Sequence, residues 1–328
     1  MYGCLSRDSF AGRGWHRQAE GGTDRQRLEV CAYNGTMILN VSSRTDIPAY
    51  YLDWFFNRIK AGYVDVRNPF HEQSVSRIFF ENVDAYLLIT KDPRPLARRI
   101  REIDKPCVVH VTITGYHGDL EPGLPDKREV IESLREISSV IGRENVYVRY
   151  DPVLLNERYT VEYHKAAFER LASQVSDYAA HMVISFLDDC KNVRRHQAET
   201  GFRRPEADEV RGLAESFARS AERHGVMLYG CNEREILAPL GFRDSACFSQ
   251  KKAFELTGRA FGSWKARNCG CVEMVDIGYY NSCPRFCKYC YANYDESRIA
   301  AHVLDHDPDS SLLSGHLRPE DVVKRRVK

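Results

Sequence analysis

Three cysteines stand close together late in the sequence, in the stretch NSCPRFCKYCYANY that spans residues 281–294. They are Cys283, Cys287 and Cys290, and their C-x3-C-x2-C spacing puts three thiols on one short loop. Thiolates bind zinc and iron–sulfur clusters. Structural zinc sites usually have four ligands. A loop with three thiols therefore either takes a fourth ligand from elsewhere or leaves one coordination position open.

An open position would suit one kind of metal centre. A cubane [4Fe–4S] cluster takes one thiolate per iron, so three cysteines leave the fourth iron for a ligand from outside the protein. Zinc with a ligand from another segment is an alternative, and so are three buried structural thiols. The spacing alone does not choose among these three.

The composition of the chain narrows the classes of function that a metal centre at this loop could have. The 328 residues carry a formal net charge of +1, which gives no field for attracting nucleic acid. No apolar run approaches the roughly 20 residues that a membrane span needs. The cysteines number eleven, and the N-terminus has no apolar signal. Clustered cysteines in such a chain favour metal or redox chemistry over disulfides, so we expect a cytoplasmic protein.

Short apolar runs alternate with amphipathic segments from residue 37 onwards, which predicts a parallel α/β fold. Eight strand–helix units are the number that closes a TIM-like (β/α) barrel, and a doubly wound open sheet is the alternative. We predict one barrel domain over residues 37–328, preceded by a flexible extension at 1–36. The predicted strands are 37–42, 63–67, 85–90, 108–113, 146–150, 181–186, 226–230 and 272–278. The predicted helices are 48–60, 127–141, 160–175 and 206–224.

Polar residues follow the predicted strands, and in both folds chemistry collects beyond the carboxyl ends of strands. We predict that Tyr116, Glu121, Arg149 and Asp151 are catalytic or contact the substrate. Arg149 would pair with an anion in a bidentate way, and Asp151 would bind ribose hydroxyls. Alternatively, Arg149 and Asp151 form an internal salt bridge that positions a loop. Residues 67–72 are predicted as a further strand exit, and residues 302–307 as a polar surface loop.

A second set of four cysteines precedes the loop: Cys231, Cys247, Cys269 and Cys271. Four thiolates would close a zinc site or saturate an auxiliary [4Fe–4S] cluster. Cys231 follows one predicted strand, whereas Cys269 and Cys271 precede the last one. The alternative is that these cysteines are reduced and pack as small apolar groups.

The loop sequence CPRFCKYCYA, with Tyr289 just before Cys290, resembles the signature of the radical S-adenosylmethionine enzymes. The resemblance implies a [4Fe–4S] cluster whose open iron binds the amino and carboxylate groups of S-adenosylmethionine. Reductive cleavage then releases a 5′-deoxyadenosyl radical, which abstracts hydrogen from a substrate. It also implies oxygen sensitivity and a low-potential electron donor such as a flavodoxin or ferredoxin. It identifies no substrate, and a small molecule or a peptide is equally compatible.

The position of the loop departs from that superfamily, in which the cysteines follow the first strand. Here they follow the last predicted strand. A cyclic shift in a barrel would put this strand beside the first one without changing the site. The exit SSRTD of the first strand would then lie where the superfamily binds the methionine amino group, although the usual Gly-Gly-Glu is absent. By this resemblance we predict that Ser43, Arg44, Asp46 and Tyr289 bind the cofactor.

Several motifs together resemble the family catalogued as domain of unknown function 1848. They are SSRTDIPAYY, RNPF, TKDP, TITGYHGDLEP, RYDP and NCGCVEMVDIGYYNSCPRFCKYCYAN. The resemblance covers nearly all of residues 37–328 and implies a C-terminal cysteine cluster similar to the radical S-adenosylmethionine one. We therefore predict a permuted barrel enzyme of that radical type. A zinc-dependent barrel hydrolase and a non-catalytic iron–sulfur redox or binding module are the alternatives.

Overall fold

We describe a computed structural model of the chain over residues 37–188, 191–233, 237–240, 242–244, 247–264 and 269–326. The predicted extension at residues 1–36 lies outside the described residues. So do Asp189 and Cys190.

The main sheet has eight strands in the order β10-β1-β4-β5-β6-β7-β8-β9, and every neighbouring pair is parallel. The parallel α/β class is therefore confirmed. The strands of this sheet are β1 (Ile38–Asn40), β4 (Ala85–Thr90), β5 (Cys107–Thr112), β6 (Val146–Val153), β7 (His181–Phe186), β8 (Met227–Gly230), β9 (Arg243–Asp244) and β10 (Met274–Asp276).

Helices connect the strands, and the longer ones follow the predicted amphipathic segments closely. The segment predicted at 127–141 is a helix with these bounds, begun by the Asp126 side chain, which accepts from the Arg128 N–H. The helices are α1 (Ile47–Tyr50), α2 (Leu52–Ala61), α3 (Arg94–Arg99), α4 (Lys127–Ile141), α5 (Val161–Val175), α6 (Lys191–Arg194), α7 (Gln197–Thr200), α8 (Ala207–Arg223), α9 (Gln250–Thr257) and α10 (Glu296–Leu304). Among the described helices, none is both long and apolar enough to cross a membrane.

The two faces of the sheet are covered differently. Leu39, Val109 and Val148 pack in one core with apolar residues of α2, α3, α4, α5 and α8. The residues that alternate with them on the strands form a second core with the segment that contains α9; they include Ile38, Leu87, Val108, Tyr147 and Val183. We call this side the inner face. In the described residues the longer helices lie on one face, whereas a doubly wound sheet carries crossover helices on both faces.

The first and last strands of the predicted order are neighbours in the sheet. Residues Ile38–Asn40 of β1 pair in parallel with Met274–Asp276 of β10. This adjacency is the one that the cyclic shift requires. At the other end, β9 pairs with β8. In the described part of the chain no pairing joins β9 to β10, so the sheet order is open and a closed barrel is not observed there.

The predicted strand at 63–67 forms, but the prediction of its place was wrong. It is β2 (Tyr63–Asn68), which pairs antiparallel with β3 (His71–Phe79) in a separate small sheet. That sheet also contains β11 (Val322–Arg325). Residues 67–72 therefore form a hairpin turn and not an exit of the main sheet. Strand β3 was not predicted, because its polar and apolar side chains do not alternate regularly enough to give a strand pattern.

The polar segment around residues 302–307 is also more ordered than predicted. Its first residues end helix α10, which begins after Asp295, whose side chain accepts from the Arg298 N–H. His306 Nδ1 lies 2.7 Å from the Leu313 carbonyl oxygen. The segment predicted as a surface loop is therefore the end of a capped helix, followed by a turn that a hydrogen bond holds in place.

The packing of α8 on α5 gives a test of the helix-side core. Phe217 is fully buried, with its ring 4.2 Å from that of Phe168. We expect Phe217→Ala to lower the free energy of unfolding by about 3–5 kcal/mol, because it removes buried contacts and leaves a cavity. Phe70→Ala in the β2–β3 turn, where the ring is 74% exposed, should change it by less than about 0.5 kcal/mol. Urea denaturation measures both, and equal losses would contradict this account of the core.

Candidate functional site

The three-cysteine loop follows β10 and is held against the exit of β1. Thr45 Oγ1 lies 2.6 Å from Ser282 Oγ and accepts from the Tyr279 N–H at 2.9 Å. The backbone approach is close at Gly278, where an added Cβ would lie 3.1 Å from the backbone nitrogens of Arg44 and Thr45. A side chain at Gly278 would therefore push the two strand exits apart.

The side chains of two asparagines connect the two ends of the cysteine loop. The Asn293 Oδ1 accepts from the N–H groups of Ser282 and Cys283, at 2.8 Å each. Its Nδ2 donates to the Arg44 carbonyl at 3.1 Å and approaches Cys290 Sγ at 3.7 Å. From the other end, Asn281 Oδ1 accepts from the backbone of Tyr294 and Asp295. These contacts lie within the chain itself, so they hold the cysteines in a defined turn.

The three thiols lie close enough to affect each other's ionisation. Burial raises the pKa of Cys283 to about 12, and the charges of Asp46 and Cys290 add to the rise. The Cys283 sulfur accepts from the backbone N–H groups of Asp46 and Arg285, which opposes it. Burial also raises the pKa of Cys287, and nearby Lys91 counteracts this. Metal binding at this loop would have to displace these protons.

A buried ion pair lies beside the loop. Lys91 Nζ donates to Glu121 Oε1 at 2.7 Å and to the Tyr289 hydroxyl at 2.9 Å. Tyr289 and Thr114 also donate to the Glu121 carboxylate. Burial opposes the ionisation of Glu121, but these partners outweigh it and lower the pKa of that carboxyl. The predicted residues Glu121 and Tyr289 thus belong to one charged cluster with Lys91.

The predicted residues on β6 form the internal salt bridge of the alternative prediction. Arg149 Nε donates to Asp151 Oδ2 at 2.9 Å, and both side chains are buried. Ser185 on β7 donates to the other oxygen of Asp151. The alternation of β6 puts both residues on the inner face, beside Tyr147.

The hydroxyl group of Tyr116 makes two hydrogen bonds that hold the side chain in place. This group donates to the Pro152 carbonyl at 2.8 Å and accepts from the Leu154 N–H at 2.9 Å. The ring lies 5.7 Å from that of Tyr289. Tyr116 therefore joins the β6 exit to the cysteine loop, and its hydroxyl is already occupied.

The exit of β1 contributes both backbone and side-chain groups to the site. The Ser43 carbonyl accepts from the Tyr291 hydroxyl at 2.5 Å. Arg44 Nε pairs with Asp276 Oδ2 at 2.6 Å. Asp46 accepts from the Lys91 N–H at 2.9 Å through Oδ2, and its Oδ1 caps α1. Burial raises the pKa of the Asp46 carboxyl.

Sequence reasoning left out Arg285 and Asn293, which the geometry brings to the loop, and it put Lys91 at a strand exit without predicting a role for it. Arg285 is 5% exposed, lies 3.5 Å from Asp92 and stacks over the ring of Tyr50. Its Nε is buried with no hydrogen-bond partner. The available signal was position, because Arg285 lies between two of the cysteines and Lys91 follows β4 directly.

The second set of cysteines is brought together on the inner face. All four belong to one cluster of apolar residues, in which the Cys247 N–H donates to Cys271 Sγ at 3.2 Å. Arg149 NH1 lies 3.4 Å from Cys247 Sγ. This packing among apolar side chains is what the alternative prediction describes, and metal binding by these cysteines stays a prediction. Over the described ranges, no three His, Cys, Asp or Glu side chains are already placed to hold a metal ion.

These features define a parallel α/β protein in which a three-thiol loop and a buried charged cluster meet at the carboxyl ends of β1, β4 and β5. A family model described as domain of unknown function DUF1848 matches residues 38–292, which is more than half of the 328-residue chain. The chain belongs to this family. The match begins at β1 and ends after the last loop cysteine. No curated protein matches the sequence.

The Asn293 side chain gives a test of loop preorganisation. We expect Asn293→Ala to increase amide hydrogen exchange in residues 281–290 by at least about tenfold, because two buried N–H groups lose their acceptor. Asn293→Asp keeps the acceptor and should retain most of the protection at Ser282 and Cys283. Equal exchange in the two variants would show that the oxygen does not hold the loop.

A buried histidine supports the β6 exit and makes stability depend on pH. His164 Nε2 donates to the Leu154 carbonyl at 2.8 Å, while Nδ1 accepts from the Tyr150 hydroxyl at 2.7 Å. This is a neutral imidazole, and burial lowers its pKa to about 4. An unfolded chain, in which the pKa is about 6.5, binds this proton first as the pH falls. Stability from His164 is thus fully present above about pH 6.5 and is lost towards pH 4.

We expect the wild type to lose on the order of 2 kcal/mol from this residue between about pH 7 and pH 5. His164→Gln should flatten the pH dependence of the free energy of unfolding by that amount, whatever its effect on stability at neutral pH. His71→Gln, at an exposed position in β3, is the matched control. Urea titrations at several pH values give the slopes, and an unchanged slope in His164→Gln would contradict the assignment.

Proposed function

We propose that this protein is a radical S-adenosylmethionine enzyme in which Cys283, Cys287 and Cys290 hold a [4Fe–4S] cluster with one open iron. One observation carries the proposal. The loop holds three mutually interacting thiols in a preorganised turn at the carboxyl edge of a parallel sheet, beside buried positive charge.

The chemistry of the donor set fits a cluster with an open position. In a cubane each thiolate binds a different iron, so three thiolates leave the fourth iron for an outside ligand. Backbone N–H groups that donate to the Cys283 sulfur also suit a bound thiolate.

The charges around the loop suit an anionic cluster and an anionic ligand. Lys91 lies near Cys287, and Arg285 lies near Cys283. Both cations lower the cost of ionising thiols in a buried place. The unpartnered Nε of Arg285 is a donor that a carboxylate would satisfy.

When bound, the cluster would supply one electron to S-adenosylmethionine, which splits to release a 5′-deoxyadenosyl radical. The chain's own residues would orient the reactants. Ser43, Arg44 and Asp46 would bind the methionine end, because they stand at the β1 exit beside Cys283. The hydroxyl of Tyr289, held by Lys91 and Glu121, would keep its ring fixed beside the cofactor.

The remaining polar residues would serve the substrate side. Glu121, Arg149, Asp151 and Tyr116 lie near the carboxyl ends of β5 and β6, and their hydrogen bonds to neighbouring groups would hold them rigid during reaction. Helices along one face and the pairing of β10 with β1 support a barrel-type arrangement in permuted order. A flavodoxin or ferredoxin would supply the electron, and the open iron would make the enzyme oxygen-sensitive in the cytoplasm.

The decisive experiment is cofactor cleavage. The full chain is purified without oxygen, reconstituted with iron and sulfide, and reduced with dithionite in the presence of S-adenosylmethionine. We expect about one cluster per chain from the single three-thiol loop and release of 5′-deoxyadenosine. The Cys283→Ala, Cys287→Ala and Cys290→Ala variants should each lower that release by at least about a hundredfold, since each removes a cluster ligand.

Cys107→Ala is the matched control, because Cys107 is a buried free thiol that packs in the helix-side core. It should leave cleavage unchanged. Zinc in place of iron at the loop would favour a hydrolase and refute the proposal. A cluster that never supports cleavage, even with candidate substrates added, would favour a redox or binding module.

A further inference from the structure

We propose that a cavity at the amino edge of the main sheet binds a small aliphatic carboxylate of the medium-chain fatty acid type. The cavity measures about 280 Å³ and lies where β5 begins. The three-thiol loop lies at the opposite edge, beyond the carboxyl ends of the strands. The cavity therefore uses no residue of that loop, and its ligand does not depend on the function proposed for the loop.

The cavity lies between the two layers that cover the sheet. Cys107, the first residue of β5, belongs to the helix-side core, and Val140 of α4 packs against that core. Leu256 of α9 packs against the core of the inner face. All three residues line the cavity, so a molecule bound there would contact both layers at once.

Hydrogen bonds hold the walls of the cavity in place. Lys252 Nζ on α9 donates to the Glu144 carbonyl at 3.0 Å and to Asn145 Oδ1 at 3.3 Å. Asn145 Nδ2 donates at 2.7 Å to the carbonyl of Ile141, the last residue of α4. These bonds join α9 to the end of α4. The cavity is therefore preformed, as most small-molecule sites are.

The apolar part of the lining predicts an aliphatic ligand. It consists of aliphatic side chains: Ile100, Ile103, Pro106, Val140, Ile141 and Leu256. No aromatic residue lines the cavity in the described part of the chain, so no ring is present to stack on a flat ligand. A flexible alkyl chain makes many dispersion contacts in such a space. The volume is near the lower end of the range for ligand sites, so the ligand is small.

Two cations give the cavity its charge. Arg101 and Lys105 are the charged residues of the lining, and neither forms an ion pair with a described residue. The carboxylate of Glu102, which lies between them in sequence, accepts from Arg99 at 2.8 Å and is thus already paired. A carboxylate is therefore the complementary head group for this cavity.

The end of α4 opposes an anion only in part. A helix carries a partial negative charge of about one half at its C-terminus. The Ile141 carbonyl at this end is already bonded to the Asn145 amide. The two full positive charges of Arg101 and Lys105 exceed the remaining partial charge, so the cavity still favours an anionic head group.

Calorimetric titration of the full chain with octanoate tests the site. We expect saturable binding at a single site. The affinity should fall about fourfold for each methylene removed, in heptanoate and then hexanoate, because each buried methylene contributes a similar transfer free energy. Octanol keeps the chain and lacks the charge, so it should bind at least about tenfold more weakly.

Three substitutions separate the head group from the chain. Arg101→Ala and Lys105→Ala should each weaken octanoate by about tenfold and leave octanol unchanged, because only the carboxylate loses a partner. Val140→Trp should abolish binding of both ligands, because the indole would fill the cavity. Arg98→Ala is the matched control, since Arg98 is an exposed arginine of α3 that does not line the cavity. It should change neither affinity.

Each contrary result overturns a stated part of the proposal. Octanoate that does not bind, or that binds without saturation, would overturn the site. Octanol that binds as tightly as octanoate would refute the carboxylate head group, and so would equal losses in Arg98→Ala and Arg101→Ala. Octanoate binding that survives in a folded Val140→Trp variant would show that the ligand lies elsewhere. If that variant does not fold, Arg101→Ala still decides, because it changes an exposed side chain.

Discussion

The parallel pairing of β10 with β1 is the contact on which the rest of the site depends. It joins a strand near residue 275 to one near residue 39, and it puts the exits of both strands at the same edge. The loop of Cys283 to Cys290 then lies against Thr45 and Asp46 instead of standing alone near the chain's end. Without this pairing the loop would lose its contacts with Thr45 and Asp46.

Buried ion pairs are the second constraint. Arg149–Asp151 is buried and Lys91–Glu121 is largely so, and taking such charges out of water costs several kcal/mol per ion unless partners compensate. Apolar residues of similar size would serve the core at least as well. Each pair has an extra hydrogen-bond donor, Thr114 for Glu121 and Ser185 for Asp151, which offsets part of the cost of burying the carboxylate. Both pairs lie beside cysteine thiols, Lys91 near Cys287 and Arg149 near Cys247, so their charges act on those thiols.

Arg149 links the two groups of cysteines. Its guanidinium contacts Cys247 on one side and Asp151 on the other, and the charge of Asp151 in turn acts on Lys91 beside Cys287. One strand, β6, therefore connects the inner-face thiols with the carboxyl edge. A change in charge at either group of cysteines would alter the electrostatic energy of Arg149, Asp151 and Lys91, because interactions between buried charges are screened weakly.

Local periodicity alone determined much of the fold. The strands at 85–90 and 181–186 and the helix at 127–141 have their predicted bounds, because their patterns depend on neighbours one to four residues away. The loop cysteines were visible for the same reason. Only the tertiary structure decided that β2 pairs outside the main sheet and that Cys247 contacts Cys271. It also decided that Lys91 and Asn293 serve the loop. Those contacts join residues far apart in the chain, where competing packings decide which partners meet and no short-range pattern records the outcome.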